Sequence, residues 1–156
     1  MMASLRGINE EGDRLWPMDF WDGYPGERQQ ILEYLDLAST LNPIILTGDI
    51  HSNWAADLKL DFDQTNSKVV GSEYIGTSIS SGGDGQDTTQ YGENLLSNNP
   101  HVKFYNANRG YVATTLSPKL WRADYKVVPY ITRKGAPINI RKTFVTEAGK
   151  PGVQEG

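Results

Sequence analysis

Two residues in Gly48-Asp49-Ile50-His51 are the ones in this sequence best suited to chemistry. A carboxylate and an imidazole two positions apart can both reach one inorganic centre. Aspartate brings a hard oxygen donor and histidine a borderline nitrogen donor, a mixture that suits iron, manganese or zinc better than calcium alone. Gly48 lets the backbone turn tightly and keeps the space above it open. The same spacing also fits an Asp49 that caps a following helix and a His51 on an ordinary surface.

The elements that must position this pair lie just before it. Ile44-Ile45-Leu46-Thr47 is a short apolar run, too short for a buried helix and β-branched enough for a central strand. A helix is predicted from Pro25 to Thr40. Proline suits the first turn, Glu27 favours the positive helix end, and Ile31, Leu32, Leu35 and Ala38 share a face. Asn42-Pro43 ends it. Helix, tight loop, strand and polar loop make an α/β-type unit, and ligands in such sheets usually sit beyond the strand's carboxyl end.

Downstream the pattern predicts an α+β chain. Lys68–Ile79 is strand-like, and Ser80–Gly92 is a long polar loop. Tyr91–Asn99 carries a short helix stopped by Pro100. His101–Asn106, Gly110–Leu116, Trp121–Tyr130 and Ile138–Thr146 read as strands, so antiparallel strands run on after residue 100. Residues 1–18 read as an irregular lead-in, 19–148 as the folded region and 149–156 as a flexible tail.

Composition narrows the function classes. The chain has 156 residues, the size of one domain or of a piece of a larger one. Its 16 Gly and 8 Pro favour turns and strands over long helices. No cysteine is present, which excludes disulfides, zinc–thiolate sites and thiol catalysis. A net charge of −4 argues against nucleic-acid binding, although an acidic protein still takes phosphoesters where metal ions supply positive charge. No apolar run reaches the ~18–20 residues of a membrane span, and the amino end carries no signal-peptide core.

Weaker candidates surround the pair. Asp22 suits either an acceptor that orients a metal-held histidine or water, or a helix cap; Tyr24 either lines a pocket or packs the helix end. Arg28 has the guanidinium fork for a phosphate oxygen, but its place on the helix predicts a solvated side chain. Arg109 beside Gly110 suits either pairing with a buried carboxylate or, more commonly for a turn arginine, a surface position; His101 reads as structural. Trp54 and Trp121 read as core, and Ser80–Gly85 as a pocket rim.

Asp49-x-His51 also resembles the opening motif of calcineurin-like metallophosphoesterases. That motif predicts a later Gly-Asp-x-x-Asp, and Gly83-Asp84-Gly85-Gln86-Asp87 follows. However, Thr88 stands where an arginine commonly follows, and no Asn-His-Asp or Asn-His-Glu comes after. Asp84 and Asp87 therefore read as carboxylates of a glycine-rich turn.

A more specific resemblance spans Asp19 to Gln154. Phe20-Trp21-Asp22-Gly23-Tyr24-Pro25-Gly26-Glu27-Arg28, Leu46-Thr47-Gly48-Asp49-Ile50-His51-Ser52-Asn53-Trp54 and Gly76-Thr77-Ser78-Ile79-Ser80-Ser81-Gly82-Gly83 come first. Asn108-Arg109-Gly110-Tyr111, Arg122-Ala123-Asp124-Tyr125 and Val128-Pro129-Tyr130 follow in order. Together they resemble the carboxyl-terminal part of PhoD-type alkaline phosphatases, a branch of the metallophosphoesterases; residues 1–18 show little of it.

The resemblance implies part of a β-sandwich flanked by helices. It implies a phosphoester substrate hydrolysed with metal ions, by family iron and calcium, with Asp49 and His51 as partial ligands. Further ligands would belong to an amino-terminal catalytic segment absent from these residues, so the chain is expected to be inactive alone. Family members imply a secreted or periplasmic setting. The competing expectation is a noncatalytic α+β binding module.

Overall fold

The computed structural model describes residues 1–8, 11, 13–38 and 42–156. A two-residue hairpin, β1 (Gly7–Ile8) and β2 (Arg14–Leu15), precedes helix α1 (Pro25–Leu37). Strands β3 (Ile44–Thr47), β4 (Asn53–Lys59) and β5 (Val69–Ile75) follow, then helix α2 (Gln90–Asn98) and β6 (Val102–Asn106). The chain closes with β7 (Arg109–Leu116), β8 (Leu120–Val128), β9 (Asn139–Glu147) and β10 (Gln154–Glu155).

The strands form two four-stranded sheets, one in the order β3-β5-β4-β6 and the other β10-β9-β8-β7. Among the described residues only β3 and β5 run parallel; the other pairings are antiparallel. This is an α+β fold with a sandwich at its centre. Between the sheets, Ala55, Tyr74 and Phe104 of the first meet Ala123, Tyr125 and Phe144 of the second. Phe104 and Tyr125 lie 4.9 Å apart in a tilted arrangement of the kind aromatic pairs prefer. The opposite face of the first sheet presents Trp54, Ala56, Leu58, Val70 and Ile75 to Leu32 of α1 and Leu95 of α2. Period-two alternation along β4 thus serves two cores.

Local chemistry explains the helix limits. Pro25 opens α1 at a position whose missing N–H has no helical partner. Thr89 caps α2, its Oγ1 accepting from Gly92 N at 2.9 Å. Gly92 itself lies against Tyr105, where a Cβ would come within 1.9 Å of the ring, so α2 is seated directly on β6.

Several expectations require correction. Helix α1 closes at Leu37, and the expected continuation through Ser39 and Thr40 lies outside the described residues. The expected central strand Ile44–Thr47 is at a sheet edge, with Leu46 61% exposed. The inner strands are instead β5 and β4, and the Ala, Leu and Lys content of β4 gives no strand signal; burial on both faces overrides propensity. The tail is not loose, because Gln154 and Glu155 pair with Val145 and Phe144.

The lead-in departs furthest from expectation. Met1, Met2, Ala3 and Leu5 are buried in the helix-side core. Their backbone is held by distant side chains rather than by a strand ladder. Glu73 carboxylate oxygens accept from Met2 N at 2.8 Å and Ala3 N at 2.7 Å. Asp22 accepts from Leu5 N at 2.9 Å, and Asn99 accepts from Arg6 N at 2.9 Å. The His101 ring, through Nε2, meets Ser4 O at 2.7 Å.

Candidate functional site

The loop Gly48–Ser52 leaves β3 at its carboxyl end with an inside-out alternation. Ile50 packs against the helix-side core, and its N–H donates to Gly48 O at 2.9 Å. Ser52 is buried and accepts from Trp54 Nε1 at 2.7 Å. The residues between and beside these anchors, Asp49 and His51, are exposed. Both have left-handed backbones, φ 71° and 57°. Aspartate and histidine tolerate that region better than most residues, at a cost of order 1–2 kcal/mol. Such conformations persist where surrounding contacts impose them, and they cluster at functional sites.

The chief imposing contact is Arg109. Its guanidinium is buried and Nη1 donates to His51 O at 2.7 Å, Ser78 Oγ at 2.8 Å and Ser81 O at 2.9 Å. Nη2 donates to Ala107 O at 2.7 Å. One side chain therefore ties the Asp49–His51 loop to the Ser78–Ser81 loop. Gly85, φ 74°, completes the fit: a Cβ there would stand 2.2 Å from Ala107 O and 2.9 Å from the Arg109 Nε and Nη2 atoms. The expected surface position of Arg109 is thus wrong. Its block, Asn108-Arg109-Gly110-Tyr111, carried the only sequence signal.

Beneath the loop, Asn53 links β4 to its neighbours. Its Nδ2 donates to Asn106 Oδ1 at 3.1 Å and its Oδ1 accepts from Thr77 N at 3.1 Å. Thr47, at the end of β3, donates to Glu73 Oε1 at 2.5 Å. These contacts fix the floor under the candidate pair.

Among the described residues, neither Asp49 nor His51 has a side-chain partner. Their oxygen and nitrogen donors are therefore unspent and accessible, as metal ligands must be. No group of three or more His, Cys, Asp or Glu among the described residues could hold an ion. The pair fits a metal as part of a ligand set.

The weaker candidates do not join it. Asp22 is buried and accepts from Ser4 Oγ at 2.6 Å, Leu5 N at 2.9 Å and Arg28 Nη1 at 2.6 Å. Its oxygens are engaged in anchoring the amino end, and it makes no side-chain cap to α1. Arg28 is 8% exposed, so the solvated position expected for it is wrong; the ion pair with Asp22 and the Phe62 ring 5.2 Å away accommodate its charge. Tyr24 lies exposed over a cleft of about 400 Å³ lined also by Trp21 and Glu27.

Asp84 and Asp87 are spent on structure. Asp84 accepts from Ile131 N at 2.7 Å and Thr132 N at 2.9 Å, which lower its pKa. Asp87 takes both Arg141 Nε and Nη2, and that contact likewise holds its carboxyl low. His101 is structural as expected: burial, then the Arg6 and Lys59 charges, outweigh its bond to Ser4 and push its pKa down to about 4.

Comparison with known proteins identifies the family. The sequence profile of the PhoD-like phosphatases matches residues 1–125. Alkaline phosphatase D of Bacillus subtilis (strain 168) is 42% identical over 141 residues, which is 90% of this chain and 24% of that protein. A solved structure of PhoD superposes with a TM-score of 0.90 at 39% identity, covering 99% of this chain and 30% of that one. The chain thus spans about a quarter of the length of the curated relative it matches. Because the matched region starts at residue 1, the opening segment is part of the resemblance. By sequence and by fold, this chain belongs to the PhoD-like phosphatase family.

Proposed function

We propose that this chain supplies Asp49 and His51 to a metal centre that hydrolyses phosphoesters. One observation carries the reading: in a chain of this family, the two unlike donors at the end of β3 are exposed, strained and without a side-chain partner among the described residues. When bound, metal ions lower the pKa of water and neutralise charge on phosphoryl oxygens. Asp49 would offer a carboxylate oxygen and His51 an imidazole nitrogen. Arg109 orients the loop through the His51 carbonyl and leaves the His51 ring free. Partly buried Ile50, packed on the helix-side core, and buried Ser52 anchor the loop on either side of His51.

Iron and calcium are the proposed ions, and the mixed oxygen and nitrogen donor set supports a borderline metal at one position. The remaining ligands would come from chain outside these 156 residues, in keeping with the 24% share of the curated relative. Alone, the chain would bind metal weakly and turn over no phosphoester.

The test uses Co(II) titration of the 156-residue chain, followed by visible absorption, with p-nitrophenyl phosphate turnover in parallel. Expected are weak Co(II) binding lost in Asp49→Ala and in His51→Ala, and no turnover. In a version lengthened to the size of the family relatives, Asp49→Ala should lower turnover by at least roughly a thousandfold, the scale of losing a group that stabilises the transition state. Turnover indifferent to both substitutions would sink the reading, and a noncatalytic binding module would give no metal-dependent signal.

A further inference from the structure

A second concave site lies on the other side of the Arg109 hub. It is a cavity of about 520 Å³, within the size range of small-molecule sites. Ile79, Tyr111, Tyr130 and Ile138 give it apolar and aromatic walls. Ile79 is 74% exposed and Ile138 57%, and with Tyr111 and Tyr130 they line one contiguous apolar surface. Three cations also converge on it, Lys126, Arg133 and Lys134.

Their state sets them apart from cations elsewhere on the same sheet. Arg122 is paired with Asp124 and Lys142 with Glu155. Lys126, Arg133 and Lys134 make no salt bridge with a described residue. The acids that feel their charge are already engaged: Asp84 by Ile131 and Thr132, and Asp124 by Arg122 and Thr143. Arg133 lies 4.4 Å from the Tyr130 ring centroid and Lys126 5.9 Å from that of Tyr111. Arg133 and Lys126 therefore each lie near an aromatic face, where they can meet an anion next to a flat apolar body. In a chain of net charge −4, such a local excess of positive charge is a selective feature.

The cavity is joined to the Asp49–His51 loop. Ile79 and Ser80 line it, and they sit between Ser78 and Ser81, which Arg109 holds together with the His51 carbonyl. We propose that this cavity binds the remote part of an extended organic phosphoester, its apolar body against Tyr111, Tyr130, Ile79 and Ile138 and a further phosphate on Lys126, Arg133 and Lys134. This rests on the phosphoesterase reading and deepens it by naming the substrate class: esters whose leaving group carries both an apolar surface and a second anionic charge.

The experiment measures binding of 1-naphthyl phosphate to the full 156-residue chain by fluorescence anisotropy, with a chelator present so that metal plays no part. Neutral 1-naphthol and inorganic phosphate serve as comparison probes. Expected is saturable binding of 1-naphthyl phosphate, at least roughly tenfold tighter than either comparison probe, as cooperating apolar and charged contacts require. The exposed double variant Arg133→Ala/Lys134→Ala should weaken it by about tenfold or more, and Ile138→Ser by a smaller factor. Asp49→Ala/His51→Ala should leave it unchanged, so that a failed metal reading and a failed cavity reading give different results. The proposal is overturned if the charge variant binds as the parent does, or if inorganic phosphate binds as tightly as the naphthyl ester. It is also overturned if vesicles of anionic phospholipid bind the chain through the same two residues while 1-naphthyl phosphate does not.

Discussion

Two sets of carboxylates in this chain share residue type and differ in fate. Glu73 and Asp22 are buried and each receives three hydrogen bonds, Glu73 from Met2, Ala3 and Thr47 and Asp22 from Ser4, Leu5 and the nearby Arg28. Asp49 stands exposed at a strand end, on a strained backbone, with His51 beside it and no partner to either side chain among the described residues. A buried ionised group survives only when its lone pairs are filled; an exposed one keeps them for a ligand. The contrast teaches that availability, rather than acidity or position near a sheet, is what makes Asp49 and His51 the candidates here.

The contrast breaks most visibly in stability. Asp22→Ala removes the partner of buried Arg28 and should cost about 3–5 kcal/mol. Glu73→Ala strands Met2 N, Ala3 N and the Thr47 hydroxyl and should cost a comparable amount. Urea midpoints of the two variants check this, and a loss under 1 kcal/mol in both would show that these carboxylates anchor nothing.

His101 sharpens it through pH. Its folded pKa of about 4 lies below the ordinary 6.5, so the unfolded chain binds more protons between those values. Stability from this group is fully present above about pH 6.5 and is lost as pH falls toward 4, by about 3 kcal/mol through linkage. His101→Gln, which keeps a donor for Ser4 O, should flatten that part of the profile in chemical denaturation. A wild-type curve already flat over the window would contradict the assignment.

At the exposed end the effects should be small or reversed. Asp49→Gly removes a side chain from a left-handed position and should stabilise the chain by about 1 kcal/mol while lowering Co(II) affinity. A variant that loses stability there would mean that Asp49 has a structural partner. Smallest of all, Arg141→Ala should cost about 0.5 kcal/mol, since its pair with Asp87 is solvent-exposed on both sides.

The part of this picture legible in the sequence was local. Strand Ile44–Thr47, the glycine turn after it and the Asp49-x-His51 spacing all lie within eight residues, and turn chemistry is written in neighbours. So are Pro25 and Pro100 at the helix boundaries. What stayed hidden depends on partners far along the chain. Nothing near Met2 announces that Glu73 will bind its N–H, and nothing near Arg109 announces the carbonyls of His51 and Ser81. Strand β4 was concealed differently. Its Trp54-Ala55-Ala56-Asp57-Leu58-Lys59 segment favours helix, and only burial between the second sheet on one face and the two helices on the other makes it a strand.

The outer side of β3 has no strand beside it among the described residues. Its peptide groups there form an unfilled half-ladder. Because β3 already runs parallel to β5, a further parallel ribbon laid along that rim would finish level with Thr47 and deliver its own terminal loop next to Asp49 and His51. One backbone docking event would thereby bring a second group of donors into register with the first.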